Sequence, residues 1–332
     1  MIHLGRCGLS TQSLRKEGVS VAEKFPRARP VVKWAGGKSQ LLGTYQHCYP
    51  PGLLAGAIHR YVEPFVGSGA VLFDVAARFP GLELVALDQN SRLIATYGVI
   101  RDNAPVLIAR LAAWQAEYWA ADDATRTQMY YEVRHRFNAG TGSAVDQAAA
   151  FIFLNRTCFN GLYRVNRQGQ FNVPAGRYRR PLLSDGDNLL QAQRVLQRVA
   201  LLVGDYQDVL SRVDARTFVY CDPPYRPLTT TASFTAYAAD AFGDDQQRDL
   251  AAFCRQCRAR GAAVMLSNSD PHYVDPDDDF FDELYHDFVI TRIPARRAIN
   301  SRSDRRGPIQ ELVITTYPVA VLQAVEPMVV RA

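Results

Sequence analysis

Asp222, Pro223, Pro224 and Tyr225 follow TFVYC, a run of strand-forming residues. Proline cannot donate to a sheet ladder, so the pair ends the strand, and its fixed φ makes the turn stiff. If a planar aromatic amine is the substrate, its nitrogen lone pair is delocalised into the ring and is a weak nucleophile. Asp222 can accept one N–H, and the Pro223 carbonyl can accept the other. Two acceptors at fixed angles favour a tetrahedral nitrogen, whose lone pair then points at an incoming electrophile. Tyr225 can stack on the ring. Such a site works by positioning and electrostatics, without a covalent intermediate. A plain Pro-Pro turn is the alternative.

A second chemical motif is EPFVGSGAVLF, read as strand, glycine turn and helix. Gly67 and Gly69 let the backbone approach a ligand, and a helix N-terminus favours an anion. Asp88 ends the next predicted strand, LELVALD, 19 residues after Gly69. There a carboxylate can hold ribose hydroxyls. A dinucleotide fingerprint wants a third glycine where Leu72 stands. The ligand that fits has an adenosine without a pyrophosphate, as S-adenosylmethionine does. Taken alone, the G-x-G is equally compatible with an ordinary strand–helix turn.

These motifs need a frame. The chain has 332 residues, 48% hydrophobic and 21% charged, enough for one large or two smaller domains. Strand-like runs (HRYVE, LELVALD, ALLVGD, TFVYCD, AAVMLSNSD, ELVITTYP) alternate with helical stretches and predict a parallel α/β sheet. Between them, residues 96–196 are helical first and then rich in Arg, Asn and Gly. NGLYRVNRQGQFNVPAG reads as a β-hairpin or extended loop. The expected division is an extension (1–29), a first catalytic part (30–95), an inserted recognition unit (96–196), a second catalytic part (197–320) and a tail (321–332).

Charge is concentrated. From Phe151 to Pro181 there are six arginines and no acid; from Arg292 to Arg306 there are six arginines against Asp304. Arginine interleaved with Asn, Gln and aromatics suits a phosphate backbone, although a solvated basic face has the same composition. All four lysines lie in the first 38 residues, two of them in VVKWAGGKSQ. A compact ammonium there does something that a planar guanidinium does not. The six cysteines include one C-x-x-C pair, Cys254 and Cys257, without the four ligands of a zinc site. No metal is expected. Unpaired cysteines and no apolar leader predict a reducing cytoplasm, with no membrane association.

Taken in order, these motifs resemble those of the Dam-type DNA adenine methyltransferases, the α-ordered amino-methyltransferases. The resemblance runs from about residue 31 to 317. VVKWAGGKSQLL is similar to their cofactor-closing motif, VEPFVGSG to their glycine loop, LDQN to their ribose-binding acid, and GDY to their adenine-pocket turn. DPPY is similar to their catalytic motif. PLTTTASFTAYAADAF, LSNSD and RRAINS…ELVITTY also match.

The resemblance implies a Rossmann-like, S-adenosylmethionine-dependent fold with an inserted, mostly helical recognition domain carrying a β-hairpin. Trp34, Lys38, Phe65, Gly67, Gly69, Asp88, Asp205, Tyr206 and Asp222 would bind the cofactor. Asp222, Pro223, Pro224 and Tyr225 would act on the N6 amine of an adenine flipped out of double-stranded DNA. FLNRTCFNGLYRVNRQGQFNVPAGRY resembles the segment that reads GATC in relatives. Phe159 and Asn160 would press into the opened stack, and Arg164 would contact a guanine. Leu162 and Pro174 would meet a thymine methyl, with Tyr178 in support and Lys33 a further base reader. Arg177, Arg179 and Arg180 would hold phosphates. A cognate restriction endonuclease is a possible partner, and no obligate protein partner is implied. RNA or cytosine N4 as substrate, or a non-catalytic DNA-binding regulator, are the alternatives.

Overall fold

The computed structural model describes residues 27–226, 242–295 and 309–319. Most of the N-terminal extension, the TTTASFTAYAADA loop, the RRAINSRSDRRGP segment and the C-terminal tail lie outside the described residues.

Seven strands form one sheet: β1 (Arg60–Glu63), β2 (Glu83–Asp88), β3 (Val199–Val203), β4 (Thr217–Cys221), β5 (Ala263–Ser269), β6 (Val289–Ala295) and β7 (Ile309–Thr315). Their order is β3-β2-β1-β4-β5-β7-β6. The first five are parallel, while β7 runs antiparallel to both β5 and β6. The expectation of a parallel sheet therefore holds for five strands and is corrected at one edge. β6 was not anticipated from the sequence.

The period-2 alternation of a strand sends neighbouring side chains to opposite faces. Tyr61, Leu84, Ala86, Phe218 and Tyr220 enter one core layer. Val62, Val85, Leu87, Val219 and Cys221 enter the other. Helices must therefore cover both faces. α1 (Leu42–Tyr45), α2 (Pro51–Leu54) and α3 (Ala70–Arg78) precede β2. Between β2 and β3 come α4 (Ser91–Ala120), α5 (Asp123–Ala139), α6 (Ala144–Thr157) and α7 (Gly186–Leu196). α8 (Asp244–Ala259) and α9 (Phe280–Leu284) follow β4 and β5. Leu250, Phe253 and Cys254 of α8 fill the second layer, which explains the spacing of its buried C-x-x-C pair.

α4 begins at the sheet with Asn90 as its cap and bends at Asn103 (φ −138°), two residues before Pro105, which lacks the N–H for the regular ladder. Its packing partners are α6 and α7, and the first core layer runs without a break from the sheet through α4, α5 and α6. The stretch read as a β-hairpin is an antiparallel excursion without a regular strand. Cys158 bridges Ala175, Val165 bridges Phe171, and the reversal between them is closed by Asn166 N–H donating to the Gln170 carbonyl at 2.9 Å. Asn138 explains its hold on the helices, because its side chain donates to the Phe171 carbonyl and accepts from the Phe171 N–H.

Candidate active site

In an open α/β sheet, ligands bind beyond the carboxyl ends of the strands, where the strand order reverses. Here the reversal falls between β1 and β4. Three adjacent strands deliver an acid to that edge: Glu63 ends β1, Asp88 ends β2, and Asp222 follows β4. All three line one cavity of 520 Å³, together with Trp34, Lys38, Phe65, Gly67, Pro223, Pro224 and Tyr225.

Among the described lining residues, Lys38 is the cation of this cavity. Its side chain is 2% exposed, and its ammonium pairs with Asp222 Oδ1 at 2.7 Å. It also donates to the Gly36 carbonyl at 2.5 Å and lies 4.7 Å from the centre of the Tyr225 ring. Such a buried contact favours a compact ammonium, as the scarcity of lysine in the sequence suggested. Ser267 donates to the same Asp222 oxygen at 3.0 Å. Among the described residues no donor reaches Asp222 Oδ2 or the Pro223 carbonyl. The next carbonyl, of Pro224, accepts from buried Gln247 at 3.3 Å, which steadies the turn. Burial pushes the Asp222 carboxyl up from the usual range, and Lys38 pulls it back.

Asp88 holds the glycine turn from outside. Gly67 N–H donates to its Oδ2 at 3.0 Å and Asn90 N–H to its Oδ1 at 2.9 Å. Burial raises its carboxyl, and those two donors oppose the shift. Gly67 has φ +45°, and a Cβ there would meet Trp34 Cδ1 at 2.8 Å. The glycine is therefore required by both its backbone and the indole lying on it. Gly69 (φ +71°) caps α3 and does not line the cavity.

Two other assigned residues sit one layer back. Tyr206 stacks behind Phe65 with ring centres 5.4 Å apart. Asp205 caps the following helical turn and accepts from Gln89, a lining residue, at 2.9 Å. Glu63 was not singled out, although it lies inside the quoted glycine motif. It is buried, accepts from Tyr61 at 2.7 Å, and has its carboxyl raised well above the usual range by burial. The signal was available: RYVE, ELVALD and TFVYCD all finish on an acid.

A second cluster joins this cavity to the arginine-rich excursion. Asn155 of α6, buried, was not predicted. It accepts from the Lys33 N–H at 2.7 Å and donates to the Lys33 carbonyl at 2.8 Å and the Gly161 carbonyl at 3.3 Å. Trp34 stacks on Tyr163 with ring centres 5.7 Å apart. Lys33 places its ammonium 4.4 Å from the Tyr178 ring centre. Around them Phe159, Asn160, Leu162, Arg164 and Pro174 are exposed, and Asn160 has φ +54°. The Phe159 N–H donates to the Pro174 carbonyl at 2.9 Å, so the two sides of the excursion are tied at this end. Arg164 donates to the Asn172 side chain at 2.7 Å, which pre-orients its guanidinium.

Not every arginine of the basic run faces outward. Arg177, Arg179 and Arg180 are exposed, but Arg156 turns in to the Val31 carbonyl at 2.6 Å, and burial lowers its pKa. Arg292 likewise pairs with Asp270 and Asp282. Both are structural side chains, which composition alone did not separate from the rest.

The sheet edge thus gathers its acids beside a basic excursion. The comparisons specify the class. Residues 34–299 match the model of the D12 class N6 adenine-specific DNA methyltransferase family, and the chain belongs to that family. It is 44% identical over 292 residues to the Type II methyltransferase M.MjaIII of Methanocaldococcus jannaschii, covering 87% of this chain and 99% of that one. It is 35% identical to the Type II methyltransferase M1.LlaDCHI of Lactococcus lactis subsp. cremoris, covering 87% and 95%. It is 31% identical to a DNA adenine methylase of Vibrio cholerae, covering 88% and 97%. The protein is thus an adenine-specific DNA methyltransferase by family. Among the described residues, no helix is long and apolar enough to cross a membrane.

Proposed function

We propose that the protein transfers a methyl group from S-adenosylmethionine to N6 of an adenine flipped out of double-stranded DNA, within GATC. The observation that carries this is the division of labour on Asp222. Lys38 and Ser267 both engage Oδ1, which leaves Oδ2 and the Pro223 carbonyl as two acceptors at the cavity. A primary aromatic amine has two N–H donors to match them.

The cavity fits the cofactor in charge as well as size. Among the described lining residues, Asp88 and Asp222 face one ammonium, Lys38, so the lining suits a ligand with a positive centre. Asp88 would hold the ribose, Phe65 backed by Tyr206 the adenine ring, and Trp34 and Gly67 the amino-acid end. When bound, the cofactor supplies an electrophilic methyl on a sulfonium. Asp222 and Pro223 then hold the amine so that its lone pair is exposed, and Tyr225 stacks on the base. Transfer would exchange the methyl group's bond to the donor for a bond to N6. The nitrogen returns to neutrality by giving up one proton, for which Asp222 Oδ2 is the adjacent acceptor.

Extruding a base requires a grip on the duplex. In this reading residues 96–196 form the recognition unit. Arg164 reads a guanine, Phe159 and Asn160 fill the gap in the stack, and Arg177, Arg179 and Arg180 hold phosphates. GATC rests on the likeness of this segment to relatives that methylate it. Tritiated methyl transfer to duplexes with GATC, or with one base pair of it changed, tests the proposal. Transfer confined to GATC is expected. Equal transfer to all duplexes refutes the sequence assignment, and label on cytosine or RNA refutes the substrate.

A further inference from the structure

We propose that Glu311 is a positioning residue for the target base: it fixes the Tyr225 ring and so sets the plane on which the flipped adenine lies. The inference rests on the reading of Tyr225 as the stacking surface.

Two prolines stiffen the backbone before Tyr225, but they leave its ring free to turn about its own side-chain bonds. The hydroxyl is the handle that removes this freedom. It donates to Glu311 Oε2 at 3.0 Å. Glu311 stands on β7, in register with Ser269 of β5 and Ile293 of β6, so it projects from a strand paired on both sides. The same carboxylate oxygen accepts from Tyr45, a fully buried side chain, at 3.4 Å.

The network continues to the other end of the catalytic turn. The Tyr45 ring packs edge-on against the Tyr220 ring, with centres 6.0 Å apart. Ser267 shares a hydrogen bond with the Tyr220 hydroxyl at 3.1 Å and donates to Asp222 Oδ1 at 3.0 Å. Two hydrogen-bonded arms, Tyr220–Ser267–Asp222 and Tyr45–Glu311–Tyr225, therefore anchor the amine acceptor and the stacking ring, and they meet where Tyr45 packs on Tyr220. A carboxylate in a sheet interior is costly unless its hydrogen bonds repay the loss of water. Burial raises the Glu311 carboxyl above its usual range. Packing alone would be met by an apolar residue of similar size, so the acid is explained by the two phenols it holds.

The test is a double-substitution cycle of Tyr225→Phe, Glu311→Leu and the pair, with Glu311→Gln as the conservative variant. Tyr225→Phe keeps the ring and removes only the handle. Each single change is expected to lower the single-turnover methylation rate about tenfold, the size of one charge-assisted hydrogen bond. The double variant is expected to lose no more than either single one. Glu311→Gln, which still offers an acceptor, restores most of the rate. Affinity for S-adenosylmethionine stays unchanged, while 2-aminopurine at the target position reports altered stacking in both single variants. Independent, multiplying losses overturn the proposal, as does a Glu311→Gln variant no better than Glu311→Leu. If the wild-type enzyme leaves adenine unmodified, the function itself has failed, which is a distinct result.

Discussion

Replacing Lys38 with methionine keeps the length of the side chain and removes its charge. The ammonium is buried, 2.7 Å from Asp222 Oδ1, with Glu63 and Glu311 also acting on it electrostatically. Breaking a buried ion pair by removing one partner costs about 3–5 kcal/mol. The Asp222 side chain is 20% exposed to the cavity, so the lower end, about 3 kcal/mol, applies here. Without that counter-charge the Asp222 carboxyl should rise further above the usual range.

The sign follows from what the site needs. Burial already raises this carboxyl, so it protonates at higher pH than a free aspartate would. Protonation turns an acceptor into a donor and abolishes its match to an amine N–H. Activity is therefore lost as pH falls through the raised pKa, and losing Lys38 moves that acidic limb further up. The assay is the single-turnover rate of methyl transfer against pH, at saturating cofactor and DNA. A limb shifted upward, with the rate partly recovered at high pH, is expected. An unshifted limb with a uniformly lower rate would refute the electrostatic role and leave Lys38 as a cofactor contact only.

Three further outcomes follow from the same geometry. Asn155→Leu strands the N–H and carbonyl of Lys33, each costing about 1–3 kcal/mol when buried unpaired, so urea unfolding should show a loss of about 2–6 kcal/mol; no change would mean that Asn155 is not the clamp between the cofactor turn and the excursion. Gly67→Ala places a side chain at φ +45° and against the Trp34 indole, which should weaken cofactor binding by about tenfold or more in calorimetry. Arg164→Ala should relax preference at one base pair by about 1–3 kcal/mol in competition binding. Uniform weakening on every duplex, with a salt slope shallower by about one, would make Arg164 a phosphate contact instead.

The parallel half of the sheet and the catalytic edge were legible because strand, turn and acid are written locally. TFVYCD-PP and LELVALD each carry the hydrophobic run, the stop and the carboxylate within a few residues. β6 was missed because VITRIPA mixes an arginine and a proline into an edge strand, where pairing on one side only tolerates both. The antiparallel direction of β7 was missed because ELVIT has the same strand-like composition whichever way it runs.

Asn155 and Glu311 were illegible for another reason. Each acts across more than 80 residues of sequence, on Lys33 and on Tyr225, and nothing in FLNRT or QELVIT marks the partner. The arginine run misled in one respect: composition counts charge but does not say which way a side chain points, and Arg156 points inward.

The central claim is methylation of adenine N6 in GATC by the Asp222 turn. The most direct measurement is to express the enzyme in a host without adenine methylation and map methyladenine along its DNA by single-molecule sequencing. Methyladenine at GATC, absent when Asp222→Ala is expressed to the same level, is the expected result. Soluble wild-type enzyme that leaves adenine unmodified, or an Asp222→Ala variant that still methylates, would contradict it.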